Sequence, residues 1–290
     1  MQFRFINISV LFLMLLTTFT SCEPDPIDIE LPPHEAKLVV SSQVIPGRGL
    51  VVNVSKSISM LNAPADSLAQ DSVFLSSLLV DHAFVRVTAG GTTEVLQRVA
   101  PGTYASFNIP LADNEQYALY VKDSVSGQEC SATAQLMPAV DFEAVQPVLK
   151  RTATDTTVYL HYTLSDPAES ANFYLVNVVT ARRKKSSELK DRFGLKKFEH
   201  QMFLLQDKDF NGTRYSAEQR LDVKAQDTIF VSLTNISQQY HHYLSVYLKS
   251  ANVYNQLTGE PINFQTNVHN GYGFFNMTSP SVTSFMLSDY

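Results

Sequence analysis

The chain has 290 residues, a formal net charge of −6 and only two cysteines, and these values limit what the protein can be. A net acidic chain is a poor partner for nucleic acid, because phosphate binding needs a concentrated positive field. The sequence contains none of the motifs typical of serine hydrolases, zinc proteases or phosphate-binding loops. We therefore predict a protein with no enzymatic activity and no cofactor.

The first 21 residues have the features of an export signal peptide. Arg4 gives a positive start, residues 5–16 are almost entirely apolar, and mostly small residues then lead into Cys22. This apolar run is shorter than the roughly 20 residues that a membrane-spanning helix needs. A cysteine at this point is typical of bacterial lipoproteins, so we expect cleavage before Cys22 and its acylation, which would anchor the protein to membrane lipid. The alternative is an ordinary secretory signal followed by a chance cysteine.

Residues 22–35 predict a solvated tether, because four prolines prevent regular structure and spaced acids keep the segment extended. Acidic residues directly after such a cysteine resemble the signal that sends lipoproteins of Bacteroidota to the cell surface. We expect a lipid-anchored protein of the outer membrane that is exposed at the cell surface, with the periplasmic face as the alternative. Once Cys22 is acylated, Cys130 has no disulfide partner, and its alternating context predicts a small buried side chain.

Residues 36–138 predict a mainly β domain. Its β-rich runs are separated by turns containing glycine or proline at regular spacing, which is typical of an immunoglobulin-like or transthyretin-like β-sandwich. Residues 59–81 interrupt this rhythm as a long loop of a kind that is often functional. The predicted strands are 37–44, 50–58, 82–88, 94–99, 103–107, 116–122 and 128–137.

Residues 139–290 predict a second β-rich domain that carries one amphipathic helix. The domain begins with a polar crossing over 139–157. Apolar residues, several of them tyrosines, recur at helical spacing along 236–250, and Thr234 and Asn235 are suitable N-cap residues ahead of them. The predicted strands are 157–164, 172–180, 200–206 and 227–233.

The C-terminal part contains three ordered motifs: Tyr-x-x-Tyr-Leu at 240–244, Gly-Glu-Pro at 259–261, and Asn-Val-x-Asn-Gly-x-Gly-x-Phe at 267–275. With the strand motifs of the N-terminal half, they resemble a Bacteroidota lipoprotein family catalogued as a domain of unknown function, family 4249. The resemblance spans nearly all of residues 22–290, and Tyr272 departs from the leucine that is more usual there. It implies a β-rich exported lipoprotein, often encoded beside TonB-dependent outer-membrane receptors, and no transferable catalytic residue.

Residues 207–218 match the spacing of a calcium-binding loop. Asp207, Asp209 and Asn211 place oxygen ligands at alternate positions, Gly212 fits the sixth position, and Glu218 falls at the twelfth. No helix is predicted before this loop, and its flanks have β character. The favoured interpretation is a polar hairpin turn built on Asn-Gly, so no metal site is favoured.

Two other patterns indicate candidate surface sites. Five Asp-Ser/Thr triplets look like the O-glycosylation sequon of exported Bacteroidota proteins, although turn chemistry also produces such triplets; the acceptors would be Ser67, Ser72, Ser124, Thr156 and Thr228. Residues 182–197 concentrate positive charge that could contact an acidic partner or anionic headgroups, with a solvated loop as the alternative. The candidate partner contacts are Arg182, Arg183, Lys184 and Lys185.

The leading functional prediction is a non-enzymatic outer-membrane accessory lipoprotein that partners a TonB-dependent transporter in nutrient uptake. One alternative is a surface glycan-binding β-sandwich module, which the absence of tryptophan disfavours although tyrosine and phenylalanine are plentiful. Another is a fimbrial-type subunit, which would need a protease-cut arm. The first arginine after Cys22 is Arg48, inside a predicted hairpin, and this argues against such an arm.

Overall fold

The fold comes from a computed structural model that describes residues 35–47, 49–58, 76–168, 170–181, 198–250 and 264–290. This part of the chain is mainly β, as predicted, and forms two β-sandwiches with one α-helix. The strands in chain order are β1 (Leu38–Ile45), β2 (Gly49–Lys56), β3 (Ala83–Ala89), β4 (Thr92–Val95), β5 (Gln97–Ala100), β6 (Thr103–Ser106), β7 (Gln116–Asp123), β8 (Glu129–Gln135), β9 (Ala144–Arg151), β10 (Thr156–Ser165), β11 (Phe173–Ala181), β12 (Phe198–Gln206), β13 (Arg214–Leu221), β14 (Thr228–Ile236), β15 (Val268–His269), β16 (Gly271–Phe274) and β17 (Ser281–Met286); the helix α1 (Gln238–Ser250) follows β14.

The first sandwich packs a sheet of order β16-β1-β2-β6-β5 against a sheet of order β15-β8-β7-β3-β4. Strand alternation builds its core: along β3, Val85 and Val87 are fully buried, whereas Phe84 and Arg86 face outward. The turns predicted between β1 and β2, β3 and β4, β5 and β6, and β7 and β8 are confirmed. The strand predicted at 94–99 is wrong, because the chain changes sheets at buried Leu96 and forms β4 and β5 instead.

Two buried tyrosines fix the loops of the first sandwich. The hydroxyl of Tyr117 donates to the carbonyl oxygen of Pro110 at 2.7 Å and accepts from the N–H of Ala112 at 3.0 Å. The hydroxyl of Tyr104 likewise donates to the carbonyl oxygen of Val80 and accepts from a backbone N–H, each at 2.8 Å. Tyr117 lies near the start of its strand and bonds the backbone a few residues upstream, which is the tyrosine corner of immunoglobulin-like sandwiches.

The second sandwich packs a sheet of order β13-β10-β9 against a sheet of order β12-β11-β14-β17. Fully buried residues from both sheets, such as Leu160 and Val231, form its core. The polar crossing predicted at 139–157 is wrong, because this segment contains β9. The polar residues in β9 obscure the alternation that would predict a strand from the sequence. Pro147 is tolerated because β9 lies at the edge of its sheet.

Both sandwiches place their strands in the same order. When β5, β15 and β16 are left out as additions, seven described strands remain in each sandwich. Numbered in chain order within each sandwich, strands 1, 2 and 5 form one sheet, and strands 4, 3, 6 and 7 form the other. This is the immunoglobulin-like arrangement in its fibronectin type III form. The predicted immunoglobulin-like class therefore applies to both sandwiches.

The segment between β14 and β17 connects the two sandwiches. Its helix α1 confirms the predicted helix, but the N-cap prediction of Thr234 and Asn235 is wrong because both end β14. Ser237 caps the helix instead, since its hydroxyl accepts the N–H of Tyr240 at 3.2 Å. After α1, β15 pairs with β8 and β16 pairs in parallel with β1, so both strands extend the first sandwich.

The predicted domain division at 138 and 139 stays a prediction, but strand pairing and packing place residues 268–277 in the first sandwich. Contacts within the chain group Ala36–Tyr290 as one unit. No helix among the described residues is long and apolar enough to cross a bilayer.

Candidate ligand-binding site

A cavity of about 560 Å³ lies on the three-stranded sheet of the second sandwich. Three neighbouring rungs of this sheet surround it, each formed by one residue from β9, β10 and β13. The first rung is Gln146, His161 and Glu218; the second is Val145, Tyr162 and Ala217; the third is Ala144, Thr163 and Ser216.

The cavity opens on the solvent face of the sheet. Successive residues of a strand point to opposite faces, so the side chains of the first and third rungs share one face. Tyr162, in the middle rung, belongs to the interior core, whereas Gln146, Ser216 and Glu218 are exposed. The floor of the cavity is therefore the backbone of the middle rung, and the outer rungs supply its walls.

One wall of the cavity carries a charge network centred on Glu218. One carboxylate oxygen lies 3.0 Å from the Nζ of Lys150, and the other lies 2.5 Å from the Nε2 of His161. Hydrogen bonding to Lys150 holds the pKa of Glu218 below its usual range, with a further contribution from His161. The Nζ of Lys150 also lies 3.9 Å from the ring centroid of Tyr159, on the same outer face. The negative charge of Glu218 on this wall is therefore balanced by the positive charge of Lys150.

The opposite wall of the cavity is small and carries hydroxyl groups. The Oγ1 of Thr163 and the Oγ of Ser216 lie 3.0 Å apart and share one hydrogen bond. Beyond them, the Nε of Arg214 lies 2.5 Å from a carboxylate oxygen of Glu143 and closes that end with another ion pair. The site can thus form several directional hydrogen bonds with a polar ligand.

The calcium-type spacing at 207–218 does not form one site. The carboxylate of Asp207 is buried and accepts the backbone N–H of Asn172 at 2.5 Å, while Glu218 takes part in the cavity described above. The favoured prediction of a hairpin turn is also wrong, because 207–213 crosses from β12 in one sheet to β13 in the other. Within the described ranges, no group of three histidine, cysteine or acidic side chains could hold a metal ion.

Turn chemistry accounts for the acidic residue of the three triplets that the structure describes. A carboxylate oxygen of Asp123 accepts the N–H of Val125 at 3.0 Å, that of Asp155 accepts from Thr156 at 2.8 Å, and that of Asp227 accepts from Lys224 at 2.9 Å. Of the candidate acceptors, Ser124 is exposed in a turn, and Thr156 and Thr228 are half-buried at strand starts. Ser67 and Ser72 lie outside the described residues.

Several other predicted sites also lie outside the described residues: Cys22 and the basic residues Arg182, Arg183, Lys184 and Lys185. The second cysteine, Cys130, is buried in β8 as predicted, and burial raises the pKa of its thiol to about 11. A thiol that is both shielded and protonated is unreactive.

Four residues of the motif at 267–275 have a structural role: Asn267, Asn270, Gly271 and Phe275. The side chain of Asn267 bonds both the N–H and the carbonyl oxygen of Phe275, which is fully buried in the first core. Asn270 has a φ of +59° in the turn before β16. A Cβ on Gly271 would lie 2.7 Å from the carbonyl oxygen of Leu38, so no side chain fits where β16 meets β1. The motif therefore attaches the connecting segment to the first sandwich.

Aromatic residues connect this motif to the helix α1. The ring of Phe274 lies 4.9 Å from that of Tyr240 and 5.2 Å from that of Tyr243, measured between centroids. The helix thus packs on β16 of the first sandwich through Phe274 and on the second through Phe173 and Leu175. Tyr240 and Tyr243 are therefore partly buried where the helix packs on β-sheet, whereas Tyr247 is exposed.

Sequence reasoning missed most of the cavity, namely Gln146, His161, Thr163 and Ser216. Alternation along β10 and β13 could have indicated which side chains share an outer face. Glu218 and His161 are 57 residues apart in sequence, so their pairing depends on the register of two strands, and no local signal encodes it. The sequence indicated Glu218 only as the twelfth position of a calcium-type loop.

Comparison with solved structures gives resemblances at low identity. The FN1–FN3 domains of chicken CNTN1 are 13% identical over 70% of this chain and 62% of theirs, with a TM-score of 0.27. The chicken interferon gamma receptor alpha chain is 11% identical over 69% of this chain and 89% of its own, with a TM-score of 0.22. The chain spans 62% of the length of the first of these, and scores this low carry no argument about function.

Comparison by sequence is more informative. No curated protein matches the chain. Residues 24–284, which are most of the sequence, match the profile of the family described as Domain of unknown function (DUF4249). The chain belongs to this family.

Proposed function

We propose that the protein is a non-enzymatic, lipid-anchored accessory protein of the outer membrane that partners a TonB-dependent transporter in nutrient uptake. The observation that carries the proposal is Cys22, which directly follows a positive, apolar and mostly small-residue export signal. The family resemblance supplies the partner, because relatives are often encoded beside TonB-dependent receptors. Surface exposure follows from the acidic residues after Cys22.

The position of the first strand supports a body held close to a membrane. Only residues 23–37 separate Cys22 from the start of β1 at Leu38. Covalent geometry limits such a stretch to about 55 Å even when it is fully extended. An acylated Cys22 would therefore keep the two sandwiches within reach of a receptor in the same membrane.

The connecting segment between β14 and β17 supports a role in presenting a fixed surface. It supplies β15 and β16 to the first sandwich while it remains covalently part of the second. Two immunoglobulin-like modules joined only by a linker would move independently, whereas this segment adds backbone pairing and helix packing between them. Two sandwiches that share strands and a packed helix suit a protein that holds a partner in one orientation.

Fractionation of cells that express the full chain tests the anchor. We expect Cys22→Ser to leave the membrane fraction and to lose processing at residue 22, because no thiol remains to be acylated. Cys130→Ala, which removes the other cysteine, is the matched control and should stay in the membrane fraction. Retention of Cys22→Ser in the membrane with unchanged processing would refute the anchor.

Affinity purification of the full chain from detergent-solubilised outer membranes tests the partner. We expect a TonB-dependent receptor in the eluate. Reversing Lys184 and Lys185 to glutamate should weaken its recovery at low salt, whereas reversing the exposed Lys208 and Lys224 should not. Absence of any such receptor from the wild-type eluate would refute the partnership and leave the anchor standing.

A further inference from the structure

We propose that the cavity on the outer face of β9, β10 and β13 is a carbohydrate-binding site for neutral sugars. This inference is independent of the transporter proposal, since it rests on the geometry of the second sandwich alone. The absence of tryptophan from the sequence argued against a carbohydrate ligand, and the geometry of the cavity now argues for one.

The charges around the cavity favour a neutral ligand. Glu218 is neutralised by Lys150 and faces His161, and Arg214 at the far end is paired with Glu143. An anionic ligand would be repelled by the carboxylates of Glu218 and Glu143, and a cationic ligand would be repelled by Lys150 and Arg214. A neutral ligand can bind while each of these pairs stays intact.

The hydrogen-bonding groups of the cavity favour a ligand rich in hydroxyls. Each carboxylate oxygen of Glu218 has a second lone pair beyond its present contact. Thr163 and Ser216 share one hydrogen bond, which leaves one hydroxyl hydrogen free to donate outward. The exposed amide of Gln146 offers both donors and an acceptor. Adjacent hydroxyls of a sugar ring, which both donate and accept, match this alternation of acceptors and donors.

The dimensions of the cavity fit one or two sugar rings. Its walls are two residues apart along each strand, about 7 Å, and three strands span about 10 Å. Its volume of about 560 Å³ is within the range of small-ligand sites. The floor is the backbone at Tyr162, so a sugar bound over it would place hydroxyls near both walls.

Affinity electrophoresis tests this proposal with the full chain in non-ionic detergent, run through gels that contain mannan, dextran or galactan, with heparin as the anionic arm. We expect at least one neutral polysaccharide to retard the protein. Ser216→Trp fills the cavity from an exposed strand position and should raise the dissociation constant at least tenfold. Ser131→Trp makes the same change at an exposed position of β8 in the first sandwich and should bind as the wild type does.

A smaller change separates ligand contact from altered folding. Gln146→Ala removes an exposed amide and should weaken binding about three- to tenfold, the loss expected for one hydrogen bond. All variants should show the far-UV circular dichroism of the wild type. The proposal is overturned if the neutral polysaccharides fail to retard the protein, if heparin alone does so, or if Ser216→Trp binds as well as Ser131→Trp. None of these results would change recovery of a transporter from membranes.

Discussion

Replacing Gly273 with alanine gives a direct measure of how tightly the connecting segment is attached to the first sandwich. Gly273 has a φ of +89°, and a Cβ there would lie 2.0 Å from the carbonyl oxygen of Val40 in β1. Gly127 is the matched control, because its φ is +74° but nothing lies within 4 Å of the added atom. Alanine at either position costs about 1–2 kcal/mol for the left-handed backbone.

At Gly273 the contact with Val40 adds to that cost. Backbone atoms form this contact, so β16 must move away from β1, which weakens their pairing and the packing of buried Phe275. Complete loss of a buried phenylalanine costs about 3–5 kcal/mol, which limits the packing part. We therefore expect Gly273→Ala to lower the free energy of unfolding by about 3–5 kcal/mol and Gly127→Ala by about 1–2 kcal/mol.

Urea denaturation followed by far-UV circular dichroism and by tyrosine emission measures both variants, since the chain has 13 tyrosines and no tryptophan. Both probes should show a larger midpoint shift for Gly273→Ala. Equal shifts for the two variants would mean that β16 is not held against β1, and the structural account of the motif at 267–275 would fail.

Three other outcomes concern buried polar groups. Tyr117→Phe should lower the free energy of unfolding in urea by about 1–3 kcal/mol, because a buried carbonyl and N–H lose their partner; Tyr247→Phe, at an exposed position, should have little effect, and equal effects would contradict the tyrosine corner. Although burial opposes ionisation of Asp123, hydrogen bonds and Lys56 at 3.3 Å hold its pKa below the usual range. A lowered folded-state pKa stabilises above the unfolded value, so stability should fall as the pH drops below about 4, and Asp123→Asn should flatten that fall in acid titrations of stability. Calcium should leave the melting temperature unchanged, because the carboxylate of Asp207 is committed to a buried backbone N–H, and a rise with calcium but not with magnesium would contradict this.

The strands and turns of the first sandwich were predictable because their signals are local. Alternation of Val85 and Val87 with Arg86 and Thr88 and the glycine turns between strands both follow from a few adjacent residues. The helix α1 was predictable for the same reason. The strand β9 was missed because an edge strand with Pro147 lacks the apolar alternation of an interior strand.

Contacts between distant parts of the chain could not be predicted in the same way. Nothing near Gly271 indicates that it pairs with Leu38, and the register of Glu218 beside His161 is set by two sheets folding around one core. The spacing at 207–218 resembles a calcium loop, but its acidic residues have separate structural roles. Asp207 accepts a hydrogen bond from a buried backbone N–H, and Glu218 forms an ion pair with Lys150. Spacing alone did not indicate that Asp207 follows β12 in one sheet whereas Glu218 lies in β13 of the other.

The pairing of Leu38 with Gly271 also affects how this chain can fold while it is being synthesised. The N-terminal sandwich depends on two strands from the last tenth of the sequence, so β1 and β8 present bare backbone until that segment arrives. Bare strand edges recruit other chains, and contacts between residues so far apart in sequence form slowly. A product cut short before β15 would therefore aggregate instead of yielding a smaller working domain, and the complete chain requires protection until its final residues are delivered.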